Sequence, residues 1–226
     1  MKAWLKKNHP DAIRIWRLIR YEVVCVIAHT TGKVARKQRD LLKNVKPGDR
    51  LKLNIASGGS THAGWLNIDV TSAADVQIDL RRRFPLPDGS AALIFCEHFC
   101  DHLNFPDVIA AFLSECHRVL EDSGRARFVL HDTEGLARAY LARDKKYFEV
   151  SEIVLGTAVE SVNLLFRFND GHQFLYDQET FEKLLREAGF SRVVRSSYCR
   201  SECPELVLDM VHPSREMMSM YIEAIK

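Results

Sequence analysis

The sequence contains no uninterrupted apolar run long enough to span a bilayer, so a membrane-spanning helix is not expected. Its opening, Met1-Lys-Ala-Trp-Leu-Lys-Lys7, lacks the apolar core and small-residue cleavage site of an export signal. The six cysteines, at positions 25, 96, 100, 116, 199 and 203, form no Cys-x-x-Cys pair. Free thiols in a reducing cytoplasm are the expectation. Net charge is only +2, and basic residues are not interleaved with aromatics, which leaves no electrostatic footprint for nucleic acid. Gly-x-Gly-x-x-Gly is absent, which argues against a nicotinamide oxidoreductase. Cys96, His98, Cys100 and His102 can be drawn as zinc ligands, but their spacing matches no zinc module, so no metal is expected.

What is present is an ordinary globular composition, 46% hydrophobic and 27% charged over 226 residues. That fits one domain with appendages. The division read from it is an N-terminal helical extension over 1–45 and an α/β domain over 46–226. The chain turns on the stretch from Leu51 to Asp69. Leu51, Leu53 and Ile55 alternate as in a strand. Ala56-Ser57-Gly58-Gly59-Ser60 then supplies small residues that let backbone turn tightly and approach a ligand. A second short strand, Trp65 to Ile68, ends on Asp69. Strand, glycine turn, strand and terminal acid form the skeleton of a nucleotide crevice, in which the acid accepts from a ribose diol. A tight turn between two core strands would read the same way.

Only nine residues separate these strands, too few for a crossover helix, and the gap from Val70 to Asp75 is also short. One face of a parallel sheet would thus lack cover at its edge. Residues 10–43 read as helical. Their apolar stripe (Ile13, Trp16, Leu18, Ile19, Val23, Val24, Ile27) is expected to pack on that edge, with a basic amphipathic helix on a membrane surface as the alternative.

Val76 to Leu80 reads as a third strand. Arg81, Arg82 and Arg83 read as a solvated loop, with phosphate binding the alternative. The continuous apolar run Ala91–Cys96 reads as a buried central strand emptying into Glu97-His98. A helix over 105–120, a strand over 125–130, a helix over 134–143 capped by Asp132 or Thr133, and a helix from Gln178 closed by Gly189 follow. Val193-Val194 and Leu206–Leu208 are expected to be the closing antiparallel pair. The fold class is therefore α/β, a Rossmann-like, mostly parallel sheet with a C-terminal antiparallel pair and shortened first crossovers. Polar residues past strand ends lie where such sheets bind ligands, which singles out Glu97, His98 and His131.

Five segments in order carry a family resemblance. They are Gly64-Trp-Leu-Asn-Ile-Asp69, Asp79-Leu80 with Phe84–Ser90, Glu97–Leu103, Arg118–Gly124, and Gly171–Asp177 with Leu184–Phe190. Together they resemble the class I S-adenosylmethionine-dependent methyltransferases, and more narrowly the small bacterial ones, over about residues 50 to 210. The resemblance implies S-adenosyl-L-methionine as cofactor. The backbone of Ala56, Ser57, Gly58 and Gly59 would cradle its methionine portion and Asp69 the ribose. Asp79 and Leu80 would flank the adenine, and Glu97 and His98 the sulfonium. The acceptor would be a small polar molecule, a sugar or glycan hydroxyl in the leading reading. His172 is the first candidate base, then His98 or His131, with Asp101 or Asp132 as orienting acids. Departures such as Ser57-Gly58-Gly59 in the first turn keep a non-catalytic scaffold of this fold as the alternative. Peripheral membrane contact and oligomerisation are compatible with the sequence but not required by it.

Overall fold

Runs of apolar residues with no polar alternation need cover on both faces, and the sheet is built from such runs. The computed structural model describes residues 15–16, 19–20, 22–27, 32–150, 156–167 and 171–226. Strands β1 (Leu51–Ile55), β2 (Leu66–Asp69), β3 (Val76–Gln77), β4 (Ala91–Glu97), β5 (Leu120–His131), β6 (Arg192–Arg195) and β7 (Ser219–Ile225) form one sheet in the order β3-β2-β1-β4-β5-β7-β6. The first five are mutually parallel. β7 runs antiparallel to both β5 and β6. This is the expected mostly parallel α/β sheet. Its chain order reverses between β1 and β4, and ligands of open α/β sheets bind at the carboxyl ends of the strands flanking such a switch.

One expected pairing is corrected. β6 pairs with β7, not with residues 206–208. Leu206 ends a 3₁₀ turn, Pro204–Leu206, and its buried side chain packs with Ala92 and Leu93. Pro204 has no N–H to give a ladder, and the apolar run serves packing instead. β7 is inserted between two strands and buried through its first six residues, so it lacks the alternation of a half-exposed strand. The third strand is also shorter than expected, stopping at Gln77.

Helix α1 (Gly32–Leu42) lies beside β3, where the Gln38 side chain donates to the Gln77 carbonyl and Leu42 packs on the core. Cover of the β3 edge by this helix agrees with the expectation. The stripe ahead of it does not, as far as it is described. Trp16, Ile19, Val23 and Ile27 are exposed, while Cys25 is buried. Ile13 and Leu18 lie outside the described residues.

Helix α2 (Asp107–Val119) buries Ile109, Phe112, Leu113, Cys116 and Val119, the spacing of one helical face. Pro106 is its N-cap residue. Helix α3 (Thr133–Ala142) begins at Asp132, whose carboxylate accepts from Gly135 N. Helices α4 (Lys145–Glu149), α5 (Ala158–Arg167) and α7 (Pro213–Met218) join α3 in a satellite core of Leu136, Tyr147, Phe148, Leu165 and Met218. Helix α6 (Gln178–Glu187) packs Phe181, Leu184 and Leu185 into the main core. Gly189 ends it at φ +105°, and a Cβ there would stand 3.0 Å from the His117 ring, so only glycine fits. No helix among the described residues is long and apolar enough to cross a membrane.

Candidate active site

The glycine turn is pinned by amides. The buried Asn54 side chain donates to Ser60 O (2.8 Å) and to Asn67 Oδ1 (2.9 Å), and His62 N donates to the same Asn67 oxygen (2.9 Å). Asn54 is thus the clip between β1, its following turn and β2. Ala56, at φ +57°, takes a left-handed conformation uncommon for a residue with a Cβ. Gly58 donates its N–H to Asp69 Oδ2 at 3.0 Å, and Thr71 N donates to Asp69 Oδ1 at 2.8 Å. The acid at the end of β2 therefore holds the turn. Each of its oxygens keeps a further lone pair.

A cleft of about 260 Å³ opens over the ends of β1 and β4. Of the residues expected from sequence, Ala56, Ser57 and Glu97 line it, while Gly58, Gly59 and Asp69 are not among its lining residues. Asn54, Ser60, His62 and Arg215 line it too. Glu97 pairs with Arg215 Nε at 2.8 Å. Burial raises the Glu97 carboxyl, and the Arg215 charge partly offsets this. Arg215 comes from α7, far along the chain, and no local pattern marks it.

Three of the expected cofactor residues, Asp79, Leu80 and His98, have other partners in the fold. Asp79 accepts from Arg81 N (3.0 Å), Nε (2.8 Å) and Nη2 (2.8 Å), and Arg81 also grips Glu22 at 2.7 and 2.9 Å. Burial works to raise the Asp79 carboxyl, but the Arg81 hydrogen bonds outweigh it and hold the group below the usual range. An adenine amino group at Asp79 would compete with that guanidinium. Arg81 itself is an ion-pair residue rather than the solvated loop cation expected from sequence. Leu80 is buried in the main core. His98 follows the cleft-lining Glu97, but its ring turns to β5 and β7.

There it joins a cluster of imidazoles. His98 and His131 stand 4.3 Å apart ring to ring, His131 and His172 4.7 Å, and His102 and His172 4.8 Å. His131 Nδ1 lies 3.0 Å from Oδ2 of the fully buried Asp101. His102 Nδ1 donates to Gly171 O and His172 Nδ1 to Leu165 O, at 2.8 and 2.7 Å. Burial pushes His98 well down, and burial with the neighbouring His131 pushes His172 down to about 4. His172 is therefore neutral near pH 7 and a weak proton acceptor. The carboxylate-held imidazole that suits a base is His131. The zinc tetrad drawn from sequence is split. Cys96 and Cys100 are buried in the main core, where burial raises the Cys100 thiol.

One wall of the cleft, Leu208–Met210, is held by a guanidinium. Arg127 is fully buried and binds Asp209 through two bonds of 2.9 and 2.7 Å, Glu223 at 2.7 Å, and the carbonyls of Arg200 and Ser197.

This strand order, with an antiparallel seventh strand and an acid-ended glycine turn beside the switch point, defines a Rossmann-like nucleotide-cofactor fold. Residues 53–128, from β1 into β5, match the model of a methyltransferase domain. That match supports a class I S-adenosylmethionine-dependent methyltransferase with S-adenosyl-L-methionine as its cofactor. No curated protein matches it. Among solved structures, a SAM-dependent methyltransferase from Archaeoglobus fulgidus is 15% identical, with a TM-score of 0.49 over 91% of this chain and 99% of that one. A SAM-dependent methyltransferase from Thermotoga maritima is 17% identical, with a TM-score of 0.48 over 92% and 96%. Haemonchus contortus phosphoethanolamine N-methyltransferase 2, in complex with S-adenosyl-L-methionine, is 12% identical, with a TM-score of 0.47 over 86% and 52%.

Proposed function

We propose that the protein is an O-methyltransferase acting on a small polar acceptor, a sugar or glycan hydroxyl being the leading class. S-adenosyl-L-methionine, when bound, supplies a sulfonium methyl group already activated for in-line displacement. The chain has to hold that donor, orient an acceptor and take a proton. The Ala56–Gly59 backbone and Asp69 hold the donor's amino-acid and ribose portions. Glu97, paired with Arg215, closes the cleft beside the reacting end. The observation that carries the reading is the pair of His131 and buried Asp101, 3.0 Å apart where β5 ends. Asp101 fixes the His131 Nδ1 hydrogen, which leaves Nε2 to accept the proton of a hydroxyl as its oxygen forms the new bond to carbon. The four clustered imidazoles, two of them held neutral by burial, suit an uncharged hydroxylic acceptor. The division at residue 45 and work in a reducing cytoplasm, in keeping with cysteines that form no disulfide among the described residues, complete the proposal.

A non-catalytic scaffold is the second reading, favoured by the exposed Trp16, Ile19, Val23 and Ile27. Calorimetric titration with S-adenosylmethionine and S-adenosylhomocysteine separates the two. Micromolar binding, weakened at least about tenfold by Asp69→Ala, is expected. A folded protein that binds neither compound at millimolar concentration would sink the enzyme reading.

A further inference from the structure

Two imidazoles and a carboxylate converge beyond the ends of β4 and β5. The Nδ1 atoms of His98 and His131 are 3.2 Å apart, and Asp101 Oδ2 lies 3.0 Å from the second and 3.8 Å from the first. Around a tetrahedral zinc ion with bonds of about 2.0–2.1 Å, neighbouring ligand atoms stand about 3.3 Å apart. The three separations bracket that value. These atoms are spaced as one face of such a coordination sphere.

Other observations set the cluster apart from an ordinary buried hydrogen-bond group. Asp101 is fully buried, yet its Oδ1 meets no hydrogen-bond partner among the described residues. Buried carboxylate oxygens are normally paired, so this one has unused ligating capacity. Ser219 Oγ lies 2.9 Å from His98 Nε2. With Ser219 accepting the Nε2 hydrogen, the Nδ1 lone pair points at the cluster, the outer support that metal-ligating histidines characteristically have. His98 takes φ +49°, a left-handed conformation uncommon for a residue with a Cβ, directly after the cleft-lining Glu97.

We propose that His98, Asp101 and His131 bind one divalent transition-metal ion of the zinc type, with a coordination position left for the acceptor's oxygen. Two nitrogens and one oxygen are a borderline donor set suited to zinc and its neighbours, and three protein ligands with an open position are the pattern of catalytic rather than structural sites. The ion replaces the hydrogen shared between His131 and Asp101. His131 Nε2 then keeps its own hydrogen, and a hydroxyl bound to the ion would release its proton to solvent water as its oxygen forms the new bond to carbon. The role assigned to the ion rests on the methyl-transfer reading. The site itself does not.

The test uses the full chain, stripped with a chelator, returned to chelator-free buffer and checked for folding by circular dichroism. Zn²⁺ is titrated calorimetrically without cofactor, and Co²⁺ is followed by its visible absorption. One equivalent of Zn²⁺ at micromolar concentration is expected, with the intense visible bands of a four- or five-coordinate Co²⁺ complex. His131→Gln should weaken binding at least about tenfold, as should Asp101→Asn, while His212→Gln, at an exposed histidine, should leave it unchanged. Asp101 is buried, so His131→Gln, at a partly exposed position, decides the matter if Asp101→Asn does not fold. No stoichiometric binding to folded protein overturns the site, as does binding that His131→Gln leaves intact. Cofactor titration on the stripped protein runs separately. Cofactor binding without metal binding ends this proposal alone, and metal binding without cofactor binding ends the methyl-transfer reading alone.

Discussion

Two buried polar clusters hang on the same pair of strands and differ in one respect. Arg127 and His131 lie on one face of β5, with Val129 between them, and stand opposite Glu223 and Ser219 of β7. At Arg127 every donor is used. Nε and Nη2 clasp Asp209, Nη1 reaches Glu223 and Arg200 O, and Nη2 also reaches Ser197 O. At His131 the partner Asp101 is equally buried, but one of its oxygens is unmatched among the described residues. A saturated buried ion group specifies structure, because removing any member strands the others. An unsaturated one costs stability and has capacity for a ligand. Four residues along a single strand separate a fold-holding cluster from a candidate reacting one.

The comparison breaks most visibly at Arg127. Arg127→Ala strands Asp209 and Glu223 and should cost about 3–5 kcal/mol. For a chain of this size that lowers Tm by roughly 6–20 °C. Thermal unfolding followed by circular dichroism reads it directly. A change of less than about 1 kcal/mol would show that the network does not hold the fold. The same variant should weaken cofactor binding, since Asp209 and its neighbours wall the cleft.

A smaller effect sharpens the other side. His172 is held down to about 4 in the folded protein, chiefly by burial, against about 6.5 when unfolded. The unfolded chain therefore binds more protons between these values, so stability rises with pH across that window. The contribution is complete above about pH 6.5 and is lost as pH falls towards 4. Urea denaturation of His172→Gln should show a flatter dependence from pH 4 to 6.5. An unchanged slope would mean that the imidazole cluster is not desolvated as described.

The smallest effect belongs to a third, half-exposed ion group, Glu22, Arg81 and Asp79. Glu22→Gln should cost under about 1 kcal/mol, and less at high salt, because Glu22 faces solvent. Asp79 is depressed below the usual carboxylate range, so its contribution is present above about pH 4 and lost as pH falls through its lower folded value. A salt-independent loss larger than that would place Glu22 in the structural class with Arg127.

Much of this was legible in the chain. The Leu51–Asp69 stretch announced a strand, a turn and a second strand because alternation and glycine placement are local properties, and Ala56, Ser57 and Ser60 of that turn line the cleft. Asp132 and Gly189 marked a helix start and a helix end for the same reason: capping needs only neighbouring residues. The β6 partner was misread because β7 is buried on both faces and carries no alternation, while Leu206–Leu208 imitates a strand and packs as a turn. Arg215, Asp209 and the commitment of Asp79 to Arg81 left no local trace. The sequence by itself determined the strand run, the glycine turn, the helix caps and the acid at the end of β2, all set by interactions within a few residues. Only the tertiary structure decided that His98, Asp101 and His131, separated along the chain, share one small volume, and that Arg127 spends every hydrogen bond four residues before it. Convergence and satisfaction are properties of space, and residue order does not encode them locally.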